Sequence, residues 1–179
     1  MAAALNAFMK IGSAEGESKQ GESSAGDGQY KGWIELQAWD WEVEAETSWT
    51  KGGGAAVGKP APGKLNWEHN WDRSSNTILT FISTGRAFPE VKLEMCKSTG
   101  DKGRKKFFSI LMKEAFITKV NQAATDEGNV TQKVEMVFNS IEIEYFQQGI
   151  LPDQPGALAQ AGKFDWNIPE GVAHPDSGG

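Results

Sequence analysis

The chain has 179 residues and a formal net charge of −6, from 18 Lys and Arg residues against 24 Asp and Glu residues. This acidic balance, without a basic cluster, disfavours nucleic-acid binding, because neutralising phosphates requires concentrated cations. The single cysteine, Cys96, excludes an internal disulfide, and with only two histidines, His69 and His174, the chain has no zinc-binding pattern. No apolar run approaches the roughly 18 residues that a membrane-spanning helix needs, so we expect no membrane insertion.

The first third of the sequence alternates between strand patterns and glycine-rich stretches. Residues 7–11 have the pattern of a short strand, and residues 12–28, rich in Gly, Ser and acidic side chains, predict a long surface loop. Residues 32–49 follow a period of two, but their apolar positions change from even to odd numbers near Trp39. This change of face predicts a β-bulge or a strand that passes between two packing environments. Residues 50–64, with three consecutive glycines and two prolines, predict a second flexible stretch.

Residues 75–84 contain the one convincing helical pattern, because their apolar side chains are spaced to form a single stripe. Ser74 or Ser75 is the expected N-cap, and Asp72 adds favourable charge near that end. Gly85 stands where a left-handed C-cap is expected.

The rest of the sequence predicts further strands and a tail. Residues 91–96 alternate, and residues 106–121, rich in Phe and Ile, favour a strand because their apolar positions form no tidy helical stripe. Residues 130–146 alternate with a second exchange of faces, whereas residues 149–179 hold four of the seven prolines and predict a tail. The whole predicts a mainly β protein, a curled sheet or barrel with one packed helix.

The search for catalytic chemistry gives only weak candidates, and no cofactor-binding motif is present. A nucleophile system of Cys96, His69 and Asp72 is conceivable, but a buried thiol and a structural histidine are the more frequent arrangement. The carboxylates Asp40, Glu42, Glu44 and Glu46 could act as a pair in glycoside hydrolysis, yet their spacing is also that of a solvated strand face. The seven tryptophans fit a sugar-binding platform, a core or a protein interface. A small carbohydrate-active β-sandwich enzyme is therefore the alternative to a non-enzymatic protein.

Several ordered segments carry a resemblance to a known family. A run of the form F-l-K-i-x-G-i-x-G-E-S is matched by Phe8, Lys10, Ile11, Gly16, Glu17 and Ser18. A strand of the form K-x-x-I-e-i-x-s-W-s-W is matched by Lys31, Ile34, Glu35, Leu36, Trp39 and Trp41. Residues 72–97, 130–148 and 164–168 are similar to the family's helix with its following strand, its last long strand and its closing motif. The chain thus resembles the Hcp family, the tube proteins of the bacterial type VI secretion system.

The resemblance implies a fold and a function. The fold is a β-barrel of two antiparallel sheets with one flanking α-helix, shared with phage tail-tube proteins, here over residues 1–148 with a C-terminal extension over residues 149–179. Members form hexameric rings that stack into a hollow tube, which a contractile sheath ejects. The implied partners are further copies, sheath proteins, the spike protein VgrG and small effectors in the lumen. Assembly in the cytoplasm followed by type VI secretion agrees with an N-terminus that does not resemble a signal peptide. A phage-like tube protein of another contractile system is the alternative within this class.

The resemblance also suggests where the assembly contacts lie, with no catalytic residue, metal or cofactor. By position, a protruding hairpin loop would reach the next ring through Thr50, Lys51, Gly52, Gly53, Gly54 and Lys59. An acidic patch of Glu15, Glu17 and Glu22 is one possible partner for its lysines. Contacts between neighbours within a ring are expected from apolar residues on two long strands, namely Trp33, Trp39, Trp41, Ile141, Ile143 and Tyr145.

Overall fold

Ten β-strands and one α-helix make up the part of the chain that the computed structural model describes, residues 6–12, 14–17, 30–50, 53–98, 104–151 and 154–176. The helix is α1 (Arg73–Thr84), and it joins two strands in sequence. The strands are β1 (Ala7–Ile11), β2 (Ile34–Asp40), β3 (Val43–Thr50), β4 (Gly54–Pro62), β5 (Leu65–Asn70), β6 (Phe88–Ser98), β7 (Arg104–Ala124), β8 (Val130–Leu151), β9 (Gln154–Asn167) and β10 (Val172–Asp176).

Six antiparallel strands close into a barrel. Their order is β8-β5-β2-β1-β6-β7, and the barrel closes because β7 also pairs with β8. Strands β9 and β10 extend the same sheet outward from β8, while β3 and β4 form a separate two-stranded ribbon. The predicted mainly β barrel with one helix is confirmed.

Alternating side chains of the barrel strands fill one hydrophobic core. In β1, Ala7, Met9 and Ile11 are fully buried within it, and in β5 Leu65 and Trp67 are buried in the same way. Ile78 of the helix enters this core, and Phe81 stacks on Phe88 of β6 with ring centroids 3.8 Å apart. The single apolar stripe predicted for the helix therefore packs against the barrel.

Both predicted changes of face are present. The first coincides with a register shift between Leu36 and Ala38, where β2 pairs with β5, and the chain leaves the barrel after Asp40. The strand predicted over residues 32–49 is therefore two strands, β2 and β3, separated by Trp41 and Glu42.

The second change of face occurs in β7 and β8 together. Glu114 of β7 has a φ of 50°, and its carboxylate accepts a hydrogen bond from Asn139 of β8. On β7 the buried side chains stand at even-numbered positions up to Met112 and at odd-numbered positions from Ala115 onward. The alternation therefore reverses at Glu114. Because β8 changes face beside the same point, both strands keep apolar side chains in the core along their length.

The helix begins earlier than the sequence predicted. Asp72, rather than Ser74 or Ser75, is the N-cap, and its carboxylate accepts the backbone N–H of Ser74 at 2.8 Å. Ser75 completes a capping box, because its Oγ accepts the backbone N–H of Asp72 at 3.1 Å. The C-cap prediction is confirmed, since Gly85 has the left-handed φ of 64°.

The tail predicted from residue 149 is wrong over the part that the structure describes. β9 pairs with β8 from Ser140–Asn167 to Leu151–Gln154, and β10 pairs in turn with β9. Trp166 of β9 is buried opposite Ile141, so side chains in this segment complete the core. The predicted boundary at residue 148 falls inside β8, and the division into a barrel domain and an extension stays a prediction.

A buried histidine connects the barrel to the start of the helix. His69 of β5 is fully buried, its Nδ1 accepts the indole N–H of Trp67 at 3.2 Å, and its Nε2 lies 3.3 Å from Ser75 Oγ. The neutral ring satisfies this pattern with its proton on Nε2, which donates to Ser75. Burial lowers the pKa of His69, outweighing the opposite effect of the Asp72 and Glu68 carboxylates.

We predict that this histidine makes the stability depend on pH. Below its ordinary pKa of about 6.5 the unfolded chain takes up a proton that the folded chain does not, so the free energy of unfolding falls as the pH falls. Urea unfolding between about pH 5.5 and 7.5 measures this dependence. His69→Gln should reduce the slope, whereas His174→Gln, at an exposed position, should retain it. Equal slopes in His69→Gln and the native chain would contradict the prediction.

Candidate assembly interface

The ribbon of β3 and β4, called the arm from here on, projects from the barrel without joining its sheet. Nearly all side chains of the arm that the structure describes are exposed, Val57 to 70%. A bulge places Gly58 and Lys59 opposite Glu46, which bends the ribbon. Pro60 and Pro62 lack an N–H group, and prolines of this kind block further strand pairing along an edge.

The base of the arm is fixed to the barrel. Gly63 donates its backbone N–H to the Glu42 carbonyl at 2.8 Å, and its own carbonyl accepts the indole N–H of Trp41 at 3.2 Å. The Trp41 ring lies 6.1 Å from the Phe138 ring of β8, measured between centroids. A Cβ atom on Gly63 would lie 2.8 Å from the Glu42 carbonyl oxygen, so only glycine permits this close approach.

The residues predicted for ring stacking lie on this arm where the structure describes them. Thr50 ends β3, Gly53 is in the turn, and Gly54 begins β4 with the left-handed φ of 77°. Lys51 and Gly52 lie outside the described residues. Lys59 is exposed, and its ammonium lies 3.5 Å from where a Cβ on Gly171 would stand, in the turn between β9 and β10. The stretch predicted to be flexible therefore forms β4 from Gly54 onward.

The apolar face of β7, β8 and β9 changes from buried to exposed along the strands. Aligned residues form three rows across this sheet, which from the buried end to the exposed end are Met112–Ile141–Trp166, Ile110–Ile143–Phe164 and Phe108–Tyr145–Gly162. The first row is buried, Phe164 in the second is partly buried, and Tyr145 in the third is 43% exposed. Gly162 places no side chain beside Tyr145, so this end of the sheet, called the emergent face, lacks apolar cover.

The six residues predicted for contacts between neighbours fall into four groups. Ile141 is 1% exposed and belongs to the core of its own chain, so it is excluded as a contact residue. Ile143 and Tyr145 lie on the emergent face, and Trp39 stacks on Phe108 beside it at 5.8 Å between centroids. Trp41 belongs to the arm base.

Trp33 lies apart from the other five, in a cluster on a different side of β1. Its ring meets that of Tyr30 edge to face at 5.1 Å, and Tyr30 stacks on Phe8 at 4.5 Å. Tyr30 donates to Glu94 at 2.8 Å and accepts from the Cys96 thiol at 3.0 Å. Burial, aided by these neighbours, raises the pKa of Tyr30.

The structure does not assemble the weak catalytic candidates. Cys96 belongs to the Tyr30 cluster, whereas both ring nitrogens of His69 are hydrogen-bonded, to Trp67 and to Ser75. Among the residues described, no group of three His, Cys, Asp or Glu side chains is placed to hold a metal ion. The helix that the structure describes is neither long nor apolar enough to cross a membrane.

Charged side chains on the outer face of β2, β5, β8 and β7 are paired across strands. Asp40, Asn66, Glu135 and Lys119 form one such row, and Asn66 donates to Asp40 at 2.9 Å. A hydrogen bond from Lys64 at 3.0 Å lowers the pKa of Glu135, with Lys119 contributing further. The carboxylate of Asp40 is thus part of a polar ladder, a pattern typical of an exposed sheet face.

The described part of the chain is thus a closed barrel with an exposed arm and an emergent apolar face. A sequence profile described as "Type VI secretion system effector, Hcp" matches residues 8–145. The chain belongs to the Hcp family of type VI secretion proteins. Members of this family are structural proteins of the secretion system and are secreted by it.

Individual relatives agree with this assignment. Protein hcp1 of Pseudomonas aeruginosa is 27% identical over 170 residues, which cover 94% of this chain and 98% of that protein. The solved structure of a type six secretion system protein matches with a TM-score of 0.79 and 20% identity, covering 96% of this chain and all of the other. Hcp1 from Salmonella typhimurium matches with a TM-score of 0.73 and 21% identity over the same shares. These two structures show that the fold is shared.

We predict that Gly63→Ala destabilises the arm base. The added Cβ would press on the Glu42 carbonyl and force the backbone apart, at a cost of about 1–3 kcal/mol in the free energy of unfolding. Urea unfolding provides the measurement. Gly162→Ala is the matched control, because a Cβ there meets nothing within 4 Å, and it should change stability little. Equal stability of the two variants would contradict the close approach at Gly63.

Proposed function

We propose that this protein is the structural subunit of a type VI secretion inner tube. Six copies form a ring, the rings stack into a hollow tube, and a contractile sheath ejects the tube. The observation that carries the proposal is the emergent face, where core residues of β7 and β8 continue outward to the exposed Tyr145. A sheet face of this kind needs cover, and in a family of self-assembling proteins a second copy supplies it.

The contact between neighbours in a ring uses the emergent face. Ile143 and Tyr145 supply apolar area, and Trp39 with Phe108 borders it. Cyclic association must overcome the rigid-body entropy lost by each copy, which favours an interface containing aromatic side chains. Trp33, on a different side of β1, and Trp41, at the arm base, remain candidates for contacts between neighbours away from the emergent face.

The contact between rings uses the arm. Its paired strands and fixed base make it a defined projection rather than a loose loop, and Gly53 and Gly54 near its tip are exposed. Thr50, Lys51, Gly52, Gly53, Gly54 and Lys59 are the stacking residues of this proposal. A tube must also disassemble, and a contact formed by a narrow two-stranded ribbon is suitably small.

The remaining partners follow from the tube role. The sheath surrounds the tube, the spike protein VgrG sits at its tip, and small effectors travel in its lumen. Assembly takes place in the cytoplasm, and the type VI route then carries the protein out. The protein acts through assembly rather than catalysis, which agrees with the separation of Cys96 from His69.

Light scattering during size-exclusion chromatography tests the ring directly. The expected mass is near six times the 19.5 kDa of one chain, and negative-stain images should contain rings with a central pore. A purely monomeric protein in mild buffer would contradict the proposal.

We predict that Tyr145→Glu disrupts the ring without unfolding the chain. In the ring, the introduced carboxylate would lose its water in a closed apolar contact, which is unfavourable. In the free chain, position 145 is exposed, so the carboxylate stays hydrated and the fold is retained. Light scattering should report a mass near that of one chain, with an unchanged circular dichroism spectrum. Tyr145→Phe is the matched control and should form rings as the native chain does. A Tyr145→Glu ring of full mass would place the contact elsewhere.

We predict that reversing Lys51 and Lys59 to Glu shortens tubes and leaves rings intact. The two substitutions change the charge of the arm while the emergent face stays unaltered. Electron microscopy measures tube length, and light scattering measures ring mass. Ala56→Ser, an uncharged change in the same exposed strand, is the control and should preserve tube length. Tubes of native length in the reversed variant would exclude a role for these charges.

A further inference from the structure

An exposed apolar pair lies at one end of the barrel. Trp71 follows β5 and is 38% exposed, and Val130 begins β8 and is 43% exposed. The backbone N–H of Trp71 donates to the Val130 carbonyl at 2.8 Å, so the two residues are held side by side. We call them the end pair.

The β7–β8 turn beside the end pair carries two adjacent carboxylates. Asp126 and Glu127 are exposed in this turn. Two backbone hydrogen bonds close the turn: Thr125 N–H donates to the Asn129 carbonyl at 2.7 Å, and Gly128 N–H donates to the Thr125 carbonyl at 2.9 Å. The turn therefore presents a fixed negative charge next to an apolar surface.

The end pair and the arm lie at opposite ends of the same strand. The arm leaves the barrel between the end of β2 and the start of β5 at Leu65. The end pair follows the other end of β5, after Asn70, and the register Asn70–Thr131–Ala123 brings the β7–β8 turn to that end. Six residues of strand separate the two surfaces by about 20 Å.

The outer part of the arm is complementary in charge and apolar area to the end pair and the acidic β7–β8 turn. Residues 47–58 include one charged side chain, the cation Lys51, and no acidic one. Val57 is 70% exposed in the same segment, and the end pair offers apolar area for it. The acidic patch suggested from the sequence is less suitable, because Glu17 is ion-paired with Arg73 at 3.5 Å and Glu22 lies outside the described residues.

We infer that the end pair, with Asp126 and Glu127, receives the arm of a second copy of this chain in the adjacent ring. Two different surfaces at opposite ends of one molecule form a heterologous contact, which repeats without closing and so builds a filament. The apolar part holds Val57, and the acidic turn attracts the positively charged outer arm. This inference rests on the proposed tube function and names the receiving surface for its arm.

A charge exchange tests the inference. Asp126→Lys with Glu127→Lys should leave ring mass unchanged and abolish tubes in negative-stain images, because the turn would then repel Lys51. Adding Lys51→Glu to that variant should restore tubes. The neutral variant Asp126→Asn with Glu127→Gln should give shorter tubes than the native chain.

The outcomes separate the inference from the function on which it rests. The inference alone is overturned if the native chain forms rings and tubes and the variant with Asp126→Lys and Glu127→Lys forms the same tubes. It is also overturned if adding Lys51→Glu to that variant does not restore tubes. A native chain that forms neither rings nor tubes would overturn both. Oxidation of tubes carrying Val57→Cys and Val130→Cys should also join chains of successive rings into a ladder of covalent multimers on a non-reducing gel. Val57→Cys alone, which offers no partner thiol at the end pair, should give no ladder.

Discussion

The coordinated change of face in β7 and β8 is the constraint on which the rest of the structure depends. At Glu114 and Asn139 both strands reverse their alternation while their pairing continues. One pair of strands can therefore close the barrel on one side of this point and support β9 and β10 on the other. Without the reversal, the apolar residues beyond it would face water on the wrong side of the sheet.

The same change of face explains why apolar side chains of β7 and β8 reach the surface. Beyond the reversal the sheet extends past the end of its own barrel, and its apolar face is only partly covered, by Trp39 stacked on Phe108. The outward continuation of the core to Tyr145 is consistent with a fold completed by its neighbours.

The polar groups that first suggested chemistry serve the architecture instead. His69 joins β5 to the capping box of the helix, and Cys96 packs against Tyr30 in a separate cluster. Asp40 accepts a hydrogen bond from Asn66, and on the same sheet face Glu135 and Glu68 pair with Lys64 and Lys133, which neutralises this exposed face at little energetic gain. Geometry, rather than residue type, thus shows that these side chains have structural partners.

Local pattern determined much of the fold. Period-two alternation predicted most strands, the exchange of faces predicted the irregular points, and Gly85 marked the end of the helix. The ordered motifs further suggested the Hcp family, its barrel and the arm. Only the tertiary structure revealed that Asp72 caps the helix, that Ile141 is internal, and that Gln154–Asn167 is a strand. Those outcomes depend on cross-strand partners such as Trp166 and Ile141, which are distant in sequence. A residue's periodicity fixes which side of a strand it occupies, but the strand packed against that side decides whether it is buried.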